Sequence, residues 1–439
     1  ARHYSGAEQH TLAYEAWVRA ADSAVAAAAF SDAIDHLDHA RALIRHLDAD
    51  RRAGCELTIE LALGSARVQH LGPTDASVHD AYLAARTIAA SAGTPHQQFE
   101  AAWGLWFVHL MRGEITVARR LGDELFDLVG SLDDHTLELE AHHVQWSALS
   151  LAGDLEAVLR HSEVGIGQYR PDQHHWMTFR YGGHDPGVCS RNLNAMALWL
   201  LGESEQARRR SASALALADD LGHPYSRLES YNSAFNIALL DSDADSLHQH
   251  AGVIDALVSD GLLPEVAHSY ADGFRANALV LDGDAAAGLD LMGRAAPIWQ
   301  EFWGAWCFPL DSAYAATLGR AGDTAAAIDY IEGRVAMVES SGAHWWDAEF
   351  GRVLGELLWL DEPVAIDRAE AHLLRAFEQA HVQRTRFLEL RAGISLARLR
   401  HHRADPHGAI ELLVNCCDLF PAHLDLADLR VARSLQADI

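Results

Sequence analysis

Histidine is abundant in this 439-residue chain, 27 in all. His135, Glu138 and His142 stand three and four apart, a spacing that would set imidazole, carboxylate and imidazole on one helix face. Such a set suits zinc or a similar ion, and His174, His175 and His184 could join it. There is no H-E-x-x-H, however, and surface or core histidines explain the pattern more simply. The sequence therefore assigns no metal and no other cofactor. Aromatic side chains cluster at Trp103, Trp106 and Phe107, at Trp299, Phe302, Trp303, Trp306 and Phe308, and at Trp345 and Trp346. They could cage an organic ligand or a cation; at helical spacing they equally suit packing between helices. Glu140 and Glu229 could be paired as acid and base in a hydrolase-like site. No G-x-S-x-G, Cys–His signature or nucleotide fingerprint accompanies them.

The chemistry must be held by a strongly acidic chain. Sixty-two acidic residues face 34 basic ones, for a formal net charge of -28, and every basic residue is arginine. Such a surface repels phosphate backbones and anionic lipid, so neither nucleic acid nor membrane is expected as a partner. A P-loop of the usual form is excluded, since its lysine is missing. Arg208-Arg209-Arg210 is the one basic run, and it suits a solvated helix face. The composition is 49% hydrophobic and mean hydropathy is -0.06, so a folded, soluble chain is expected, with no apolar run long enough to span a bilayer. The five cysteines, Cys55, Cys189, Cys307, Cys416 and Cys417, are scattered, which fits free thiols in a reducing cytoplasm. Ala1-Arg2-His3-Tyr4 reads as the cut edge of a longer polypeptide.

A repeat organises the chain. An amphipathic helix, a Gly-acid turn and a helix opening on a small residue recur at Arg112-Gly113-Glu114, Ala152-Gly153-Asp154, Leu201-Gly202-Glu203, Asp282-Gly283-Asp284 and Ala321-Gly322-Asp323. Weaker copies surround Asp241-Ser242-Asp243, Asp361-Glu362 and Ala404-Asp405. The small residues are Ala118, Ala157, Ala207, Ser246, Gly288, Ala327, Ala369 and Ala409, spaced by 39, 50, 39, 42, 39, 42 and 40. Glycine tolerates the left-handed conformation that ends the first helix, and the acid complements the positive end of the next. Each hairpin of about 40 residues leaves an apolar face that only its neighbours can cover. The expectation is an all-α solenoid of about ten helix pairs, wound as an open right-handed superhelix over 1–439. Irregular hairpins would occupy 1–95, regular repeats 96–168, and further repeats with a C-terminal cap 188–439. Between them, Tyr169 to Gly187 carries two Pro, three Gly, three His and four aromatics, and reads as an inserted ordered loop at 169–187.

Several phrases carry a resemblance: Glu140-Ala141-His142-His143, Tyr181-Gly182-Gly183-His184-Asp185-Pro186-Gly187-Val188, Ala195-Met196-Ala197-Leu198-Trp199-Leu200-Leu201-Gly202, Gly222-His223-Pro224-Tyr225-Ser226, Ala343-His344-Trp345-Trp346-Asp347-Ala348-Glu349 and Glu389-Leu390-Arg391-Ala392. With the repeat, they make nearly the whole chain resemble the C-terminal tetratricopeptide region of large bacterial regulators. In those, an adenylate or guanylate cyclase or a kinase domain precedes an AAA-type ATPase and the repeats. The cyclase, kinase and ATPase parts are absent from these residues, so their activities do not transfer. The resemblance implies a cytoplasmic sensing region that binds a ligand or partner and controls attached domains.

In tetratricopeptide arrays the first helix of each pair lines a concave groove. Counting back from each turn, the tenth position gives Trp103, His143, Asn192, Asn232, Gly273 and Ser312. The sixth gives Phe107, Ser147, Met196, Asn236, Asn277 and Ala316, and the thirteenth Glu100, Glu140, Cys189, Glu229 and Tyr270. Asn192, Asn232, Asn236 and Asn277 could form a ladder holding a peptide main chain, since each amide both donates and accepts. Glu100, Glu140 and Glu229 would give the groove an acidic lip that favours a cation. Asp185 should cap a helix starting at Pro186, leaving His184 at its positively polarised end. The ligand would be a peptide, a small molecule or a partner protein domain, and terminal repeats could self-associate. A groove enzyme and a pure scaffold are the alternatives; closure of the solenoid into a ring would favour the enzyme.

Overall fold

The computed structural model describes residues 3–4, 9–27, 29–130, 132, 134–361 and 366–439, with the side chains of 302 and 303 set aside. Ala1, Arg2, Glu362 and the Phe302 and Trp303 side chains, all named above, lie outside the described residues. The regular elements among the described residues are helices, 22 of them α-helical. None is long and apolar enough to cross a membrane. The chain divides into two compact units, 1–144 and 145–439.

The first unit holds α1 (His10–Ala26), α2 (Phe30–Leu43), α3 (Ala49–Leu71), α4 (Ala76–Ala92), α5 (Pro95–Met111), α6 (Ile115–Gly130) and the start of α7 (His135–Ala152). Each of α1 to α5 packs on the next, and α3 also touches α5. Trp17, Leu37, Ile59 and Leu63 form the core at the first hairpins.

The second unit continues with α8 (Leu155–Gln168), a single turn α9 (Pro171–His174), α10 (Pro186–Leu200), α11 (Ser204–Leu221), α12 (Pro224–Asp241), α13 (Ala244–Ser259), α14 (His268–Leu281) and α15 (Ala285–Trp303). It ends with α16 (Phe308–Arg320), α17 (Thr324–Ser341), α18 (Asp347–Asp361), α19 (Ile366–Val382), α20 (Arg386–His402), α21 (Pro406–Cys417) and α22 (Ala427–Asp438). The residues between α8 and α10 are largely ordered, α9 running directly into a 3-10 turn at His175–Phe179.

The repeat turns fold as the glycines require. Gly113, Gly153, Gly202, Gly283 and Gly322 all have φ between 73° and 95°, and the weaker copies follow, with Ser242 at 58° and Ala404 at 62°. Aspartate after the turn does more than complement a dipole. Asp154, Asp243, Asp284, Asp323 and Asp405 each accept a backbone N–H from the first turn of the helix they open. Glu203 makes no such cap, its side chain being one methylene too long for the geometry. Ala118, Ala207, Ala327, Ala369 and Ala409 are fully buried. A Cβ on Gly288 would meet Val280 at 2.6 Å and the Ala276 carbonyl at 2.7 Å, so only glycine fits that crossing. Ser246 departs from the pattern: it is half-buried, and its neighbour Leu247 fills the buried place.

Within 145–439 the first helices build one inner layer. α10, α12, α14, α16, α18, α20 and α22 each touch the next, while α11, α13, α15, α17, α19 and α21 fill the spaces outside. An open superhelix was the expectation, but this layer returns on itself, with α20 against α10 and α22 against α12. Trp199 meets Phe387 with ring centroids 5.5 Å apart, Arg384 pairs with Glu156, and His423 stands 3.8 Å from Glu205. A Cβ on the turn glycine Gly202 would lie 3.2 Å from Phe420 and 3.3 Å from Arg386. Helix turns without bulk thus let the last hairpins dock on the first.

Charge is also buried in this unit. Glu349 of α18, 3% exposed, accepts from Arg352 at 2.7 and 2.9 Å and from Arg391 of α20 at 3.0 and 3.1 Å. Arg352 continues to Glu356 at 2.8 Å and Arg391 to Asp428 of α22 at 2.9 Å. The network ties three successive inner helices together. The basic run is paired, Arg208 with Asp241 and Arg210 with Glu163, leaving Arg209 on the surface.

Candidate functional site

The positions counted back from the turns fall on common faces, since steps of three and four residues return to one side of a helix. In the first unit, Glu100, Trp103 and Phe107 lie on α5, and Glu140 and His143 on α7. Glu140 is fully buried. One of its oxygens accepts the Trp103 indole N–H at 2.8 Å and stands 3.0 Å from His143 Nδ1; the other is buried without a partner. Trp103 stacks on Phe107 at 5.1 Å. Glu140 is therefore an interior carboxylate, while Glu100 is half-buried. The histidine set at the start of α7 does not converge: His135 pairs with Glu138 at 3.2 Å on the surface, whereas His142 is buried edge-on against Phe126.

In the second unit, α10 contributes Cys189, Asn192 and Met196, α12 contributes Glu229, Asn232 and Asn236, and α14 contributes Tyr270, Gly273 and Asn277. Asn192, 1% exposed, accepts from Ser230 Oγ at 3.3 Å through its side chain and from Ser233 Oγ at 3.3 Å through its carbonyl. Its Nδ2 is buried with no partner, as is Glu229 Oε2. Leaving a buried donor or acceptor unpaired costs about 1–3 kcal/mol. Among the described residues, the amides of Asn232, half-buried, and Asn236, 7% exposed, make no side-chain hydrogen bond. Asn277 differs, its Nδ2 donating to the Gly273 carbonyl one turn back at 2.8 Å. The structure thus brings three asparagines to adjoining inner helices with unspent hydrogen-bonding capacity and gives the fourth a local partner. Ser230 and Ser233, which hold Asn192, had no signal in the repeat because they face the neighbouring helix, not the counted line.

The segment before α10 is pinned at Asp185. This fully buried carboxylate accepts from Gly187 N at 2.9 Å and Val188 N at 3.1 Å, capping α10 as its sequence suggests. Its other oxygen receives Tyr169 OH at 2.7 Å and lies 2.8 Å from His175 Nδ1. Burial, then the charge of Asp185, pushes the Tyr169 phenol well above its usual value. The backbone N–H of Asp185 donates to Ser226 Oγ of α12 at 2.9 Å. His223, the residue capping α12, is held down to about 4 by burial and by nearby His175 and His184, so it is neutral at pH 7. His184 is half-buried, its Nδ1 3.2 Å from the Gly182 carbonyl. Asp185→Ala should cost about 2–4 kcal/mol in urea unfolding, combining a lost cap with an orphaned buried phenol. A loss under 0.5 kcal/mol would show that Asp185 does not anchor the segment.

Among the aromatics, Trp103, Trp106, Phe107, Trp299, Phe308, Trp345 and Trp346 are buried, which is the packing arrangement. Trp346 donates to Ser312 Oγ at 3.1 Å and Trp299 to Asp311 at 3.0 Å. None of the five cysteines is paired.

No protein-family profile matches the chain. Over 247 residues it is 23% identical to an uncharacterised protein of Rhizobium meliloti (strain 1021); the match covers 55% of this chain but only 24% of that much longer protein. Similar solved structures include a Rap protein complexed with competence and sporulation factor, at TM-score 0.45 and 10% identity, covering 94% of this chain and 97% of that one. Yeast Tom70 gives TM-score 0.37 at 13% identity, with 97% and 96% covered. The apo form of RapI gives 0.38 at 10%, with 93% and 97% covered. At these scores the likeness adds nothing to the paired-helix arrangement established by the chain's own packing. The chain is an all-helical repeat protein of tetratricopeptide-like architecture.

Proposed function

We propose that the inner layer of 145–439 binds an extended peptide segment, free or part of a partner protein, through its main chain. The observation that carries this reading is the set of unspent amide groups on adjoining inner helices: Asn192 Nδ2, buried and unpaired, with the Asn232 and Asn236 amides four residues apart on one face of α12. An asparagine amide matches a peptide unit donor for acceptor, and binding would recover the cost of the unpaired groups. The net charge of -28 favours a ligand that is not strongly anionic. The match to about a quarter of a longer bacterial protein fits a sensing region within a larger regulator, of the cyclase- or kinase-linked ATPase kind that the chain resembles. Closure of the inner layer leaves an enclosed wall in which a groove enzyme is the second reading, since the inner helices also carry buried unpaired carboxylate oxygens at Glu229, Asp311 and Asp347.

A thermal-shift screen against peptide pools, polyamines, sugars and nucleotides tests the ligand class. A ligand at 100 times its Kd stabilises by about 2.7 kcal/mol, so peptides should give clear upward shifts. Shifts confined to sugars or nucleotides would overturn the reading.

A further inference from the structure

We propose that the groove between α1 and α3, in the first unit, binds a free dipeptide in its zwitterionic form. The two helices face each other across an open space of about 500 Å³, a volume within the range of small-ligand sites. They are tied by the Tyr14 hydroxyl, which donates to the Cys55 carbonyl at 3.0 Å, and by Arg51, which stands 3.4 Å from Glu15. Tyr14, Val18 and Cys55 give the groove an apolar wall, and Arg19 and Asp50 bring opposite charges to it.

Two features point to a ligand here. Gly54 lies inside α3 with helical backbone, is exposed, and a Cβ on it would meet nothing within 4 Å. Glycine weakens a helix relative to alanine, and no neighbour requires it at this place; its effect is to keep the groove open. The second feature is charge. Arg19 and Asp50 make no ion pair among the described residues, so a cationic and an anionic site stand open on the two walls. With the Glu15–Arg51 contact as the level, Asp50 lies one residue before it and Arg19 one turn beyond it. That offset is about 7.5 Å at the helical rise per residue. An extended dipeptide spans about 7 Å, so its carboxylate can meet the Arg19 guanidinium while its ammonium meets Asp50. A free amino acid carries both charges on one carbon and is too short to reach both. The Glu15–Arg51 pair is exposed on both sides and weak for that reason, so Glu15 can share the ammonium. The groove lies within 1–144, apart from the asparagine amides of 145–439, and its test does not depend on them.

The experiment is a ligand-observed NMR titration of the full chain with leucyl-alanine and alanyl-leucine. The expected result is saturable binding of at least one of them. N-acetylation or C-terminal amidation of that dipeptide should each weaken binding about 10-fold or more, by removing one charged contact, and leucine alone should bind as poorly. Arg19→Gln and Asp50→Asn should each cost about 10-fold or more as well; both side chains are exposed, so these variants keep the fold. Gly54→Leu fills the groove with a better helix former. It should abolish binding while leaving the urea midpoint unchanged or higher, which separates occlusion from unfolding. Asn232→Ala should leave dipeptide binding unchanged. No saturable binding of either dipeptide, binding that survives Gly54→Leu, equal affinity for leucine or for the acetylated and amidated forms, or loss of binding in Asn232→Ala would overturn the proposal.

Discussion

Arg352→Leu is expected to destabilise the 145–439 unit by about 3–5 kcal/mol, the range for breaking a buried ion pair by removing one partner. Arg352 is 7% exposed and bonds both Glu349 and Glu356. Without it, Glu349 and Asp428 share Arg391, and Glu356 is left with the Ser395 hydroxyl. The same network sets a pH dependence. Burial alone would raise the Glu349 carboxyl, but Arg352 and Arg391 outweigh it and hold the group far below the ordinary glutamate value. A carboxyl lowered in the folded state contributes stability that is complete above its unfolded pKa, about 4.5, and is lost as pH falls below that value. The parent chain should therefore lose stability steeply below pH 4.5, and Arg352→Leu less steeply, because its Glu349 is no longer held so low. Urea unfolding at pH 7 and pH 3 measures both effects. A cost below about 1 kcal/mol at pH 7, with an unchanged acid slope, would mean that the network does not bind the inner helices together.

How much of this was legible in the sequence depends on range. The turn glycines, the aspartates after them and the small crossing residues are local signals, and the positive φ values at Ser242 and Ala404 show that even the weak copies obeyed the same backbone rule. Counting back from those turns placed Asn192, Asn232 and Asn236 on adjoining helices, because helical period and hairpin stacking together fix the face. The count could not tell which amides were spent. Asn277 turns to a carbonyl of its own helix, and Glu140 lies inside against Trp103; both outcomes are set by neighbours outside the counted line. Closure of the inner layer was likewise illegible. Trp199 and Phe387 meet across 188 positions, and no local pattern encodes a contact that depends on the summed rotation of many hairpins.

The second large effect concerns binding. Asn232→Ala together with Asn236→Ala should lower peptide affinity about 100-fold, the equivalent of roughly 2.7 kcal/mol for two amides each bonded to a peptide unit. Stability should change by less than about 0.5 kcal/mol, because these amides have no partner within the described residues to lose. That combination separates a ligand contact from a packing role, which would lower stability and binding together. A large drop in urea midpoint with proportionate loss of binding would assign the asparagines to the core.

Recognition of the main chain itself is tested most directly by calorimetric titration of a peptide identified in the screen against its backbone N-methylated forms, on the parent chain and the double asparagine variant. N-methylation at one central peptide bond should cost 10-fold or more on the parent chain, by about the energy of a lost hydrogen bond, and almost nothing further on the variant. Equal tolerance of N-methylation on both proteins, or an undiminished penalty on the variant, would contradict main-chain recognition by Asn232 and Asn236.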